Sequence, residues 1–199
     1  MTSKRNTVRG DDAVLDAARD CVLAVGVRRT TLTDVARRAG VSRMTLYRRW
    51  PDVRALVGDL MTREWLAVTV GAMPHPGPTA TTNPPLAEAL ISGLRALRAH
   101  PLLRKILDVD PELMLPYLFD RRGASQDRVL EFIEEALRHG HADGSVRQDH
   151  PVRQARALLL ILQSFALSMQ IMTDDTDPEL NEAAFYAEAR HILERILVP

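Results

Sequence analysis

The sequence predicts an all-α fold, a small N-terminal three-helix domain followed by a larger helical one, and three observations carry the prediction. Apolar residues recur at steps of three and four along most of the chain. Helix caps and glycine stops follow one another closely between Thr30 and Leu56. Charge is also divided: residues 1–54 hold twelve of the 26 Lys and Arg but six of the 26 Asp and Glu, although the whole chain is neutral. A basic small domain attracts phosphate, while an acidic remainder discourages nucleic acid from wrapping around it.

Composition bounds the rest. At 199 residues and 46% apolar content the chain is large enough for a packed core. No apolar run approaches bilayer-spanning length, and the polar start MTSKRNTVRG does not read as a secretory signal, so no membrane partner is expected. A single cysteine excludes an internal disulfide framework and points to a reducing cytoplasm.

Residues 1–10 read as a basic arm in which Lys4, Arg5 and Arg9 are either part of a frayed terminus or contact phosphate or the minor groove. From Asp11 or Asp12, Val14, Ala17, Ala18, Cys21, Val22 and Val25 keep helical spacing until Gly26. Cys21 falls on that apolar stripe, where packing is its expected role. Thr31 is placed to cap a second helix, with Asp34 as the acidic half of a capping box and Val35 and Ala36 facing inward. Gly40 supplies the left-handed stop, Val41 fills the corner and Ser42 caps a third helix. On that helix Leu46 and Trp50 face inward, which turns Met44 and Arg48 outward beside Arg43, Thr45 and Tyr47.

Two short helices around such a turn form a helix-turn-helix, whose second helix enters the major groove. Arg reads guanine edges, Thr and Met touch a thymine methyl, and a Tyr hydroxyl anchors a phosphate. The expected DNA-contacting set within residues 11–50 is Thr31, Thr33, Ser42, Arg43, Met44, Thr45, Tyr47, Arg48 and Arg49, with Arg54 just beyond. The competing reading is a plain helical hairpin with a solvated charged face.

The segments VLDAARDCVLAVGV, LTDVARRAGVS and TLYRRWPDVRAL together resemble the DNA-binding domain of the tetracycline-repressor (TetR) family over about the first third of the chain. The resemblance implies a palindromic operator in double-stranded DNA, a homodimer, and a small-molecule effector held by the C-terminal domain. It further implies that effector binding displaces the fourth helix and so changes the separation of two recognition helices. Arg49 stands where the family commonly has His and would add a phosphate contact. Val53 stands where the family usually has a phosphate-contacting Lys, so that contact either passes to neighbouring Arg54 or is missing.

Residues 51–199 read as the ligand-binding and dimerisation domain. Asp52 caps a fourth helix on which Val53, Leu56, Val57, Leu60, Met61, Glu64, Trp65 and Val68 keep helical spacing. MPHPGPTATTNPP, residues 73–85, reads as a mobile loop between the fourth and fifth helices, since prolines and glycine exclude a helix; the alternative is a ligand-gating lid. A fifth helix runs from Leu86 to the break at His100-Pro101, and short pieces follow over 101–108 and 111–120. Ser125–Arg138 is expected as a helix stopped by the turn HGHADGSVRQDHP. Val152–Met172 and Asp177–Leu197 are expected as the last two helices, the first apolar on more than one face; the pair suits a four-helix homodimer interface with the same two helices of a second chain, or else both are simply buried in one subunit's core. Met61, Trp65, Met73, Leu94, Met114, Phe119, Phe165, Met169 and Met172 are candidates to line a pocket for a mostly apolar effector, or simply to fill the core.

Candidate chemistry elsewhere is weak. His139, His141 and His150 lack two-His helical metal spacing, and Asp174, Asp175, Asp177 and Glu179 lack the glycine and ligand alternation of a calcium loop and read as helix-start charges. No nucleophile elbow, Gly-rich phosphate loop or paired-cysteine motif is present, so no cofactor or metal is called for and an enzyme is not expected. The sequence thus points to a ligand-released transcriptional repressor. The alternatives are a helical enzyme or ligand carrier that keeps the small domain only as a fold element, and a non-specific DNA-coating protein.

Overall fold

The computed structural model describes the backbone of residues 2–72 and 86–199 and the side chains of residues 10–71 and 86–199. The 73–85 loop, Met73 included, and the side chains of Lys4, Arg5 and Arg9 lie outside the described residues. The described residues form helices α1 (Thr2–Val25), α2 (Leu32–Ala39), α3 (Arg43–Arg49), α4 (Val53–Ala72), α5 (Leu86–Ala99), α6 (Pro101–Val109), α7 (Leu115–Phe119), α8 (Ala124–Asp143), α9 (Pro151–Ser168) and α10 (Glu182–Leu197). Short 3-10 turns cover Pro111–Met114 and Met169–Ile171, and no described residue is in a strand.

The chain divides into two compact units: Met1–Trp65 with His100–Gly123, and Leu66–Ala99 with Ala124–Pro199. In the first, α1 packs on α2 and α2 on α3, burying Val14, Ala18, Val22, Leu32, Val35, Ala36 and Leu46. α6 also packs on α1 through buried Leu102, Leu103 and Ile106. The second unit is a helical core of α5, α8, α9 and α10 centred on Ile91, Leu94, Ile133, Leu137, Leu158, Ala189 and Leu193.

Several boundaries differ from the expectations. α1 begins at Thr2, so the basic arm continues the helix: residues 2–9 hold no proline, and Lys and Arg are good helix formers. α8 runs through Gly140 to Asp143. Gly140 serves packing instead of stopping the helix, since a Cβ there would lie 2.5 Å from Val146 Cγ2; Gly144, with φ 76°, makes the reversal. α10 starts at Glu182, because Asn181 accepts a hydrogen bond from Ala184 N–H at 3.0 Å and caps it. The acidic residues before it hold turns, not the helix start: Asp174 accepts from the Thr176 amide and Asp177 from the Glu179 amide, each at 2.9 Å.

Candidate nucleic-acid interface

The corner between α2 and α3 forms by the local chemistry of its residues. Thr31 Oγ1 accepts from the Asp34 amide at 3.1 Å and donates to the Asp34 carboxylate at 2.6 Å. Gly40 closes α2 at φ 67°, a left-handed backbone that a side chain disfavours. Ser42 Oγ then accepts from the Thr45 amide at 3.1 Å and opens α3. Within α3 only Leu46 is buried. Trp50, which ends the helix, is buried as well, and its Nε1–H donates to Asp59 Oδ2 of α4 at 2.9 Å. Anchored at Leu46 and Trp50, α3 turns every other side chain to solvent.

That solvent face carries Arg43, Met44, Thr45, Tyr47, Arg48 and Arg49, with Met44 78% and Tyr47 49% exposed. A large apolar side chain left in water on a cationic helix is a feature that burial does not explain. Arg43 and Arg48 make no ion pair among the described residues, so their full charge is available to a partner. Arg49 is placed differently. Its guanidinium lies 3.5 Å from Asp11 and 3.7 Å from Asp59, with Cζ 5.1 Å from the Trp50 ring centroid. The hydroxyls of Ser42 and Thr45 are 2.8 Å apart and bond each other, Thr33 is half-buried, and Arg54 is exposed near the start of α4.

Beside this surface, burial raises the Cys21 thiol above its ordinary value, with the charges of Arg38 and Asp34 acting in opposite directions. The thiol therefore lacks the depressed pKa of a reactive thiolate.

The pocket candidates divide between the units. Met61 and Met114 are buried and Trp65 half-buried in the first; Leu94 and Met169 are buried and Phe165 half-buried in the second. Phe119 and Met172 instead stand in solvent, at 79% and 59% exposed, because α7 and the turn after α9 present them outward. Among the described residues no cluster of His, Cys, Asp or Glu is disposed to hold a metal ion, and no helix is long and apolar enough to cross a membrane.

Sequence reading missed two polar clusters of the first unit. Half-buried His100 caps α6 through Nδ1, which accepts from the Leu102 amide at 3.3 Å, and its Nε2 lies 3.3 Å from buried Glu64 of α4. Asp110 is fully buried and accepts from the Val27 amide, 83 residues earlier. The only local trace of either is a His or Asp immediately before proline, which reads as a helix break.

The family model described as bacterial regulatory proteins, tetR family, matches residues 14–60, which run from α1 into α4 and include the α2–α3 corner. An uncharacterised HTH-type transcriptional regulator of Mycobacterium bovis, Mb2274c, is 35% identical over 180 residues, 90% of each chain. The chain belongs to the tetracycline-repressor family. It is a TetR-family transcriptional regulator with a helix-turn-helix DNA-binding element. Solved structures carry the same fold across both units. The Rhodococcus erythropolis transcriptional repressor QsdR superposes with a TM-score of 0.66 at 18% identity, covering 96% of this chain and 95% of its own. The SmeT–triclosan complex does so with a TM-score of 0.60 at 21% identity, covering 96% and 92%.

Proposed function

We propose that this TetR-family regulator is a homodimeric repressor that reads a palindromic operator with α3 and leaves it when a small, mostly apolar effector binds the C-terminal helices. The observation that carries the reading is the exposure of Arg43, Met44, Tyr47 and Arg48 on a helix anchored from behind by Leu46 and Trp50. Arg43 and Arg48 supply guanine-edge or phosphate contacts, Met44 meets a thymine methyl, and Tyr47 reaches a phosphate. Ser42, Thr45 and Thr31 lie at the N-termini of α3 and α2, where helix amides also face phosphate.

Dimerisation is supported by the second unit. On α9, Ala157, Leu160 and Ser164 fall on one exposed face, and Ala183 and Ala187 do so on α10. Leu160 alone is 67% exposed. Small and apolar residues at that spacing suit close packing against the same pair of helices from a second copy. Repression and effector release are supported by the fold relatives QsdR, a transcriptional repressor, and SmeT, solved with triclosan.

The test is selection of bound sequences from a random double-stranded library, followed by gel-shift titration of the winner with wild type and with Arg43→Ala/Tyr47→Ala. Selection should return an inverted repeat whose half-sites lie about one helical turn, ~34 Å, or a multiple apart. No enriched sequence, or undiminished binding by the double variant, would sink the reading.

A further inference from the structure

Asp110 lies between α6 and the 3-10 turn that starts at Pro111, and its backbone does ordinary local work there. Its N–H donates to Ile106 O at 2.9 Å and its carbonyl accepts from Leu113 N–H at 3.1 Å. An Asp before proline ordinarily caps the turn that follows, but this side chain makes no such bond. The carboxylate, 1% exposed, is directed instead at the corner joining α1 to α2. Oδ2 accepts from the Val27 amide at 2.6 Å. Oδ1 has no hydrogen-bond partner among the described residues and faces Arg28 Nε at 3.4 Å.

The corner is built to receive it. Gly26 has φ 83°, and a Cβ there would lie 2.8 Å from Asp110 Oδ2 and 2.9 Å from Val109 Cγ1. Thr30, buried, donates its hydroxyl to Gly26 O at 2.7 Å. The next residue, Thr31, is the N-cap of α2. Glu112 accepts from Arg28 Nε at 2.6 Å and keeps that guanidinium on the 110–112 turn. A buried carboxylate tolerates little displacement from its donors, because separation leaves it desolvated and unpaired.

We propose that Asp110 is a positioning residue for operator binding. Through Val27 and Arg28 it holds the Gly26–Thr31 corner, and with it the α2 N-terminus, at the angle the DNA backbone requires. The segment His100–Gly123 thereby moves with the helix-turn-helix, and Arg28 serves this joint and not a phosphate. The inference rests on the operator-binding reading above.

The experiment compares wild type, Asp110→Asn, Arg28→Ala and the double variant, using the library-selected DNA fragment as probe. Affinity is measured across a salt series by fluorescence anisotropy, and amide exchange on the DNA-free proteins. Each single variant is expected to bind about tenfold more weakly, the scale of losing a charge-assisted hydrogen bond. The double variant should be no worse than either, the slope of log affinity against log salt should be unchanged, and exchange should quicken over residues 26–31 but not in α8–α9. Wild-type affinity with unaltered exchange overturns the proposal. So does a salt slope reduced by about one per half-site in Arg28→Ala with additive losses, which makes Arg28 a phosphate contact. If wild type selects no sequence, operator binding itself falls, while unquickened exchange over 26–31 separately overturns the joint. Arg28 is exposed, so its variant keeps the test decisive if Asp110→Asn does not fold.

Discussion

Trp50 and Asp59 join the end of the recognition helix to α4: the indole Nε1–H donates to Asp59 Oδ2 at 2.9 Å. The ring is buried at 3% exposure, so it both fills the core behind α3 and sets the helix's direction. Trp50→Phe keeps most of the apolar area and removes the bond. Stability in urea should drop by about 1 kcal/mol, discounted because Asp59 is exposed, with a larger proportional loss in operator affinity. Equal losses in the two measurements would show that the bond supports the fold without aiming the helix.

The arginines of α3 should separate by salt dependence. Arg43 and Arg48 make no ion pair among the described residues, whereas Arg49 is engaged by Asp11, Asp59 and the Trp50 ring. A phosphate contact contributes about 0.9 to the slope of log affinity against log salt for each charge neutralised. Arg48→Ala should reduce the slope by about that much per half-site, or Arg43→Ala should if that residue is the phosphate partner. Arg49→Ala should leave the slope nearly unchanged and lower the melting temperature slightly. A full-sized slope change in Arg49→Ala would show that DNA displaces its carboxylates.

Gly140→Ala tests packing against propensity. Ala gains roughly 1 kcal/mol over Gly inside a helix. Its Cβ, however, would lie 2.5 Å from Val146 Cγ2 and 3.0 Å from Val146 Cβ, and forced overpacking costs about 1–3 kcal/mol. The net effect should be destabilising in chemical denaturation. Val146→Ala in the same chain should recover part of the loss.

Acid should weaken the second unit through Asp149. The His150 amide, then the guanidiniums of Arg147 and Arg153, hold its carboxyl well below the usual carboxylate range. The unfolded chain therefore binds this proton first as pH falls, so the contribution is complete above the ordinary Asp value near 4 and fades below it. Asp149→Asn should flatten the fall in melting temperature between about pH 5 and pH 2. Glu112, Asp143 and Asp174, also lowered, should leave a residual slope.

Leu160→Arg tests the dimer. The side chain is 67% exposed, so folding of the single chain should be undisturbed. Sedimentation should show a monomer, and operator affinity should fall by on the order of 100-fold as the linked second half-site is lost. A dimer with unchanged affinity would place the interface elsewhere.

Local chemistry carried much of this protein. The caps at Thr31, Ser42 and Asp52, the stop at Gly40, and the inward pair Leu46 and Trp50 all depend on residues within four or so positions of one another, so spacing alone made them legible. The same spacing forced Arg43, Met44, Tyr47 and Arg48 outward. Gly140 was legible as a glycine but not as a packing site, because Val146 reaches it only after the chain reverses at Gly144.

The sequence by itself determined an all-helical chain and the helix-turn-helix, since turns, caps and helical faces are set within a few residues. Only the tertiary structure decided which arginines remain free and which are held, and that Asp110 serves a corner 83 residues before it. The reason is physical: a guanidinium or carboxylate is the same group everywhere in a sequence. Its role follows from which partners folding brings within about 4 Å and how much water it removes.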